Sequence, residues 1–296
     1  MDVFCVGHAS YDLVFSVTQH PQPDEKLVAD GYLGCGGGPA ANAAVMVARL
    51  GFNAGFCGYL GMDIYGENHL QELRHYQVNT DFIVRGESPT PLSAVIVKPD
   101  GKRALINYKG YTQALLSNAV DFSTLSTKTM LFDGHEPHLS VPLAMQARKR
   151  GIATVLDAGS LHTGTAALIK EVDYVVASEK FAVQFAGSET VALKQLAEVA
   201  PVVVITLGER GLIWQRGAEQ GTFAAFNIQA IDTTGAGDAF HGAFAAALVA
   251  EYAWLDVLGY ASAAGALCCT KVGARSGLPN AIEHQALFEQ RTAQWL

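Results

Sequence analysis

From residue 130 onward the chain alternates short apolar runs with longer helix-compatible ones, and this rhythm restricts the fold more than any other feature. It predicts strands over 130–134, 153–158, 174–178 and 202–207, with helices over 141–150, 163–171, 180–186 and 191–199. Each helix returns the chain to the same end of the sheet, so the strands run parallel and helices cover both faces. Val3-Phe4-Cys5-Val6-Gly7, apolar and brief, reads as one more buried parallel strand. Ligands of such sheets gather beyond the carboxyl ends of the strands, which is where Asp12 follows the first one.

One stretch carries the chemistry: Asp232-Thr233-Thr234-Gly235-Ala236-Gly237-Asp238-Ala239-Phe240, running into the apolar helix-like segment 241–248. Gly235, Ala236 and Gly237 would open that helix with bare N–H groups aligned with the positive end of its dipole, an arrangement that attracts an anion. Asp238 falls in the first turn, about 5 Å from those amides. The dipole is expected to favour its ionised form, able to accept a proton from an attacking hydroxyl.

A second glycine-rich approach, Gly36-Gly37-Gly38-Pro39, precedes the small-residue helix 40–50, with Asn42 in its first turn. It is neither G-x-G-x-x-G nor a Walker-type loop. Alternating runs at 11–17 and 26–34 suggest strands exposed on one face, and 53–61 and 81–85 read as strands flanking helix 65–77. Segments 93–98 and 103–108 around Pro99-Asp100-Gly101 read as a hairpin, with Arg103, Leu105 and Asn107 on one face. Together these strands are expected to form a lid over the substrate. His135 and His138 flank Pro137 and complete no metal set.

The net charge of -8 excludes a general nucleic-acid or anionic-membrane surface. No apolar run approaches the ~20 residues of a membrane span, and the start lacks the basic region of a secretory signal. Five cysteines, none in a C-x-x-C pair, fit buried thiols in a cytoplasmic protein.

The string from Asp232 to Phe240 closely resembles the C-terminal signature of the ribokinase-like, or PfkB, family of carbohydrate kinases, and 36–51 resembles its N-terminal one. That resemblance implies a single domain over 1–296, an α/β three-layer αβα sandwich with a mostly parallel sheet, and a small lid from about 11–34 and 88–110. It implies ATP-dependent transfer of the γ-phosphoryl group to a hydroxymethyl of a sugar, with Asp238 as base and the Gly235, Ala236 and Gly237 amides as anion hole. Asp12, Gly37, Gly38 and Asn42 would hold the sugar, joined by Arg103 and Asn107 from the lid, where a basic residue is a ketohexokinase-like feature. Ser178, Thr206, Gly208, Gly211 and Gly273 would contact the nucleotide. Glu179 is the nearest acid for Mg²⁺, and Asp232 with Thr234 would enclose a monovalent cation such as K⁺. Pro39 stands where relatives often carry Lys or Asn, Ser178 replaces an Asn, and Phe181 replaces a second acid. A homodimer through the lid is a further implication. Two alternatives stand beside this: a nucleoside kinase of the same fold, with Tyr108 or Tyr111 stacking on the base, and a non-catalytic sugar sensor.

Overall fold

The computed structural model describes residues 1–99 and 101–292; Asp100, at the centre of the expected Pro-Asp-Gly turn, lies outside the described residues. The first half of the chain builds β1 (Val3–Val6), β2 (Ser10–Ser16), β3 (Gly31–Gly37), α1 (Pro39–Arg49), β4 (Ala54–Cys57), β5 (Tyr59–Gly61) and α2 (Ile64–His75). It continues with β6 (Val84–Gly86), β7 (Leu92–Val97), β8 (Arg103–Tyr108), β9 (Thr129–Phe132) and α3 (Pro137–Lys149). Then come β10 (Ala153–Ala158), α4 (Thr163–Leu168), β11 (Tyr174–Ser178), α5 (Glu179–Ala186), α6 (Glu189–Ala197) and β12 (Val202–Thr206). The C-terminal part adds β13 (Leu212–Arg216), β14 (Glu219–Phe223), α7 (Ala236–Val249), α8 (Trp254–Cys268), α9 (Ala274–Gly277) and α10 (Ala281–Thr292).

The main sheet runs β14-β13-β12-β11-β10-β9-β1-β4. It is parallel from β12 to β4, while β13 and β14 close it as an antiparallel hairpin that the strand-helix rhythm did not foretell. All residues of β1, β4 and β9 are buried, because helices pack on both faces of the sheet. One core cluster joins the sheet to α1, α7 and α8, and the other joins it to α3, α4, α5 and α6. The α/β three-layer architecture is therefore as expected. Among the described residues no helix is long and apolar enough to cross a membrane.

Two boundaries differ informatively. Helix α3 begins at Pro137 rather than 141, since proline at the first helical position lacks only an N–H that has no intrahelical acceptor anyway, and His138 lies inside it. The expected strand 53–61 splits at Gly58, where a Cβ would meet the Gly7 carbonyl oxygen at 2.4 Å; β4 enters the main sheet while β5 pairs with β6.

The strands expected to form a lid make a separate sheet, β3-β2-β7-β8, with β2 parallel to β7. Its register aligns Cys35, Asp12, Ser93 and Asn107 in one row, so these side chains share a face with Val14, Val95 and Arg103. The opposite face carries Phe15, Tyr32, Ile96, Ile106 and Tyr108.

Candidate active site

Helix α1 owes its position to small residues. Ala40, Ala41, Ala43 and Ala44 are fully buried, and Gly242 of α7 lies so near that a Cβ there would meet the Ala43 carbonyl oxygen at 2.6 Å. Close approach of the two helices brings their first turns together, and Asn42 Nδ2 donates to Asp238 Oδ2 at 2.7 Å. Residues nearly two hundred positions apart thus form one polar contact.

The start of α7 has the form its glycines predict. Gly235 is left-handed (φ 79°), and a Cβ on it would meet Ala274 Cβ at 2.6 Å, so only glycine fits. The helix has no side-chain N-cap. Ala236 N–H makes one long bond to the Thr233 carbonyl, 3.4 Å, and among the described residues the Gly235 and Gly237 amides have no protein acceptor. Gly237 is exposed, with no atom within 4 Å of a built Cβ. An anion can therefore reach these donors.

The charge state of Asp238 differs from expectation. Burial, together with the nearby Asp157 carboxylate, pushes its pKa up to about 7, against the lowering effect of the Asn42 hydrogen bond. Desolvation and a like charge outweigh the helix dipole, and the group sits near neutrality rather than fully ionised. A base poised there is well matched to proton transfer at physiological pH.

The sugar-side loop is built by contact rather than left open. A Cβ on Gly37 would fall 2.3 Å from the Asp12 carboxylate, and one on Gly36 2.4 Å from His69. Gly38 has φ 94° and lies against the His8 carbonyl. Asp12 is buried, accepts from Ser10 Oγ at 3.1 Å, and has its pKa raised by burial against the hydrogen bonds of Ser10 and Ser93. Asn42, the other expected sugar ligand, is also buried; its amide is engaged by Asp238 and by Arg275 Nε at 3.1 Å.

Arg103, expected at the sugar, has its partners just before α7. Its Nη1 donates to Thr233 Oγ1 at 2.9 Å and lies 3.6 Å from Asp232 Oδ1. Gly101 packs alongside, where a Cβ would meet the Ile231 carbonyl oxygen at 2.3 Å. A cavity of about 680 Å³ opens here, lined by His20, Lys98, Lys102, Arg103, Leu105 and Thr233. Asn107 shares the Asp12 face and is exposed. Tyr108, named for the nucleoside alternative, lies on the opposite face, and Tyr111 donates to the Glu87 carbonyl at 3.4 Å.

Asp232, expected with Thr234 around a monovalent cation, is held in a local network. Its Oδ1 accepts from Thr234 N–H (2.9 Å) and Thr234 Oγ1 (2.7 Å), and its Oδ2 from Gly273 N–H (2.8 Å). With Arg103 beside it, the carboxylate has donors and a countercharge, and it ties Gly273 to the segment before α7.

Ser178, Thr206, Gly208 and Gly211 line the carboxyl ends of β11 and β12. Ser178 caps α5, accepting from Phe181 N–H (3.0 Å) and donating to the Gly159 carbonyl (2.8 Å), so its hydroxyl is committed. Thr206 Oγ1 donates to the Ala177 carbonyl at 3.3 Å. Gly208 has φ 61° and open space around it, whereas Gly211, φ 85°, is pressed against the Phe223 carbonyl. Glu179, the acid expected near Mg²⁺, pairs with Arg210 at 2.8 Å, both side chains half-exposed. Among the described residues no group of three or more His, Cys, Asp or Glu side chains is placed to hold a metal.

Sequence reasoning missed four buried residues. Asp157, at the end of β10, lies 3.4 Å from His241 Nδ1 and raises Asp238 electrostatically; an acid ending an apolar strand was its signal. His241, one turn after Gly237, approaches that residue's carbonyl at 2.6 Å and the Val176 carbonyl at 3.0 Å. Asp133 gathers the amides of His8 (2.8 Å), His135 (2.9 Å) and Ala40 (3.2 Å), fastening the ends of β1, β9 and α1. Arg275, 1% exposed in what reads as a polar loop, gave no signal at all.

An anion cradle beside a proton acceptor, at the carboxyl edge of a parallel sheet and beneath a lid, is the equipment of a phosphotransferase with an alcohol acceptor. The chain belongs to the pfkB family of carbohydrate kinases: residues 1–281 match the pfkB family carbohydrate kinase. Ribokinase of Haemophilus influenzae is 28% identical over 297 residues, covering 96% of this chain and 97% of that protein. The crystal structure of ribokinase from Thermotoga maritima aligns with a TM-score of 0.86 at 25% identity, over 98% of this chain and 99% of that one. Arabidopsis thaliana ribokinase complexed with ribose and ATP gives 0.86 at 24% identity, over 97% and 98%. This is a carbohydrate kinase, a phosphotransferase with an alcohol acceptor.

Proposed function

We propose that the protein transfers the γ-phosphoryl group of ATP to a primary hydroxymethyl of a sugar, with Asp238 as general base. The observation that carries this reading is the start of α7, where unsatisfied amides and a carboxylate share one turn. Asp12 and the Gly37 backbone bind sugar hydroxyls. The hydroxymethyl meets the Asp238 oxygen not taken by Asn42, gives up its proton there and attacks in line. The amides of Gly235, Ala236 and Gly237 hold the charge on the transferring phosphoryl group, each worth roughly 3–4 kcal/mol in comparable sites. Arg103 contributes its charge from the lid side, and lid closure keeps out water as a competing acceptor.

Mg²⁺ fits as a companion of the nucleotide, since among the described residues there is no cage of three or more His, Cys, Asp or Glu side chains. Magnesium commonly keeps several waters and takes one or two carboxylates besides phosphate oxygens. The raising of Asp238 by the neighbouring Asp157 carboxylate is what a nearby cation would relieve. It would supply charge neutralisation between the phosphates.

A sugar is favoured over a nucleoside because Tyr108 and Tyr111 are directed elsewhere. A sensor without catalysis has no use for a carboxylate poised near pH 7. The apolar outer lid face, with Tyr32 at 63% and Ile106 at 65% exposure, supports a homodimer through the lid, and the buried cysteines suit a cytoplasmic setting. A panel of free sugars, sugar phosphates and nucleosides with ATP and Mg²⁺, followed by ADP release, tests the reaction. Turnover on at least one sugar is expected, and activity confined to nucleosides overturns the sugar assignment.

A further inference from the structure

Among the described residues Arg275 is the largest fully buried side chain. A guanidinium removed from water needs partners. Its Nε donates to Asn42 Oδ1 at 3.1 Å, Nη2 lies 3.3 Å from His69 Nε2, and Nη1 lies 3.7 Å from Glu72 Oε1. The other Glu72 oxygen accepts from Gly36 N–H at 2.6 Å. Arginine has no acceptor, so the contacting nitrogen of His69 must accept and the ring is neutral. Burial and the guanidinium charge, which hold the His69 pKa well below its usual value, agree with that.

The same donor-only rule acts on Asn42. An asparagine amide has nearly the same shape either way round, and alone it could present oxygen or nitrogen to Asp238. With Arg275 on one side, the oxygen must face the guanidinium and the NH₂ must face the carboxylate. We propose that Arg275 is a positioning residue of the phosphoryl-transfer site, acting through Asn42 to hold Asp238 with one oxygen occupied and the other left for the acceptor hydroxyl. The inference rests on Asp238 being the base. It also joins that base to loop 271–277: Gly273 donates to Asp232, and Ala274 packs under Gly235. Orientation of the carboxylate and seating of the loop are then set by one rigid unit.

The test uses the full chain and four variants: Arg275→Met, Arg275→Lys, Asn42→Ala and the Arg275→Met/Asn42→Ala double. Thermal melts confirm folding, and Arg275→Lys carries the measurement where Arg275→Met fails to fold. Arg275→Met should lower kcat about 30-fold with both KM values within about threefold, lysine should restore part of the loss, and the double variant should be no slower than Asn42→Ala. Independently of any substrate, NMR of the free protein should show the Asn42 side-chain NH₂ protected from exchange, and that protection lost in both Arg275 variants. Multiplying losses in the double variant, or wild-type kcat with an unchanged Asn42 amide, overturns the proposal. Should no sugar be phosphorylated at all, the base assignment fails while the amide measurement still decides the Arg275–Asn42 link.

Discussion

Two glycine-rich loops, 36–38 and 235–237, each open a helix at the same pocket, yet their glycines exist for opposite reasons. In the first, every missing side chain is replaced by a neighbour: His69 against Gly36, Asp12 against Gly37, the His8 carbonyl against Gly38. In the second, Gly235 is pressed on Ala274, but Gly237 has nothing within 4 Å. One loop is glycine-rich so that protein groups can be packed into place, the other so that something from outside can approach. A glycine count cannot separate these cases; the contacts can.

Substitutions separate them directly, and the strongest bears on the carboxylate beside the open loop. Asp238→Asn should reduce kcat by about 10²–10⁴, the range of a lost general base, with sugar affinity nearly unchanged. Stopped turnover with normal calorimetric sugar binding would bear out the assignment, and wild-type kcat would end it. At the filled loop, Gly37→Ala forces the Asp12 carboxylate to move, and a displacement near 1 Å can lose about 100-fold in kcat/KM; unaltered kinetics would show that Asp12 does not hold the sugar. Because Asp238 has a pKa of about 7 and must be deprotonated to act, kcat/KM should climb about tenfold from pH 6 to pH 8. A flat profile across that interval contradicts the poised carboxylate.

Gly237→Ala gives the sharpest contrast with Gly37→Ala. The added methyl clashes with no protein atom, and alanine in a helix is favoured over glycine by about 1 kcal/mol, so melting temperature should hold or rise. Activity should fall several-fold nonetheless, through KM for ATP and kcat, because the methyl enters the space the phosphate uses. The smallest change expected is from exchanging K⁺ for a large organic cation, less than about twofold, since Asp232 already has Thr234, Gly273 and Arg103. A strong K⁺ requirement would restore Asp232 and Thr234 as cation ligands.

Much of the fold was legible because periodicity reports burial: strands buried on both faces read as short apolar runs, and the helices between them made the sheet parallel. The β13–β14 hairpin was not, since it follows the Gly208–Gly211 turn without a helix to mark it. At the site, Gly235, Gly237 and Asp238 were readable from backbone logic alone. Asn42, Arg103, Asp232 and Ser178 have protein partners that no local pattern announces, because a donor or acceptor comes from another part of the chain: Asp238 for Asn42, Thr233 for Arg103, Gly273 for Asp232, Gly159 for Ser178. Arg275 lay beyond reach, because burial of a cation depends on His69 and Glu72 from another helix.

Arg103 gives the lid a second task. Under the proposed function, the hairpin that swings aside to admit the sugar also brings the guanidinium that rests on Thr233 and Asp232. Raising the cover therefore strips positive charge from the phosphate seat, and lowering it returns that charge once the acceptor is inside. Door and seat are geared, so an ATP bound under an open cover meets a weaker electrostatic field than one enclosed with its sugar.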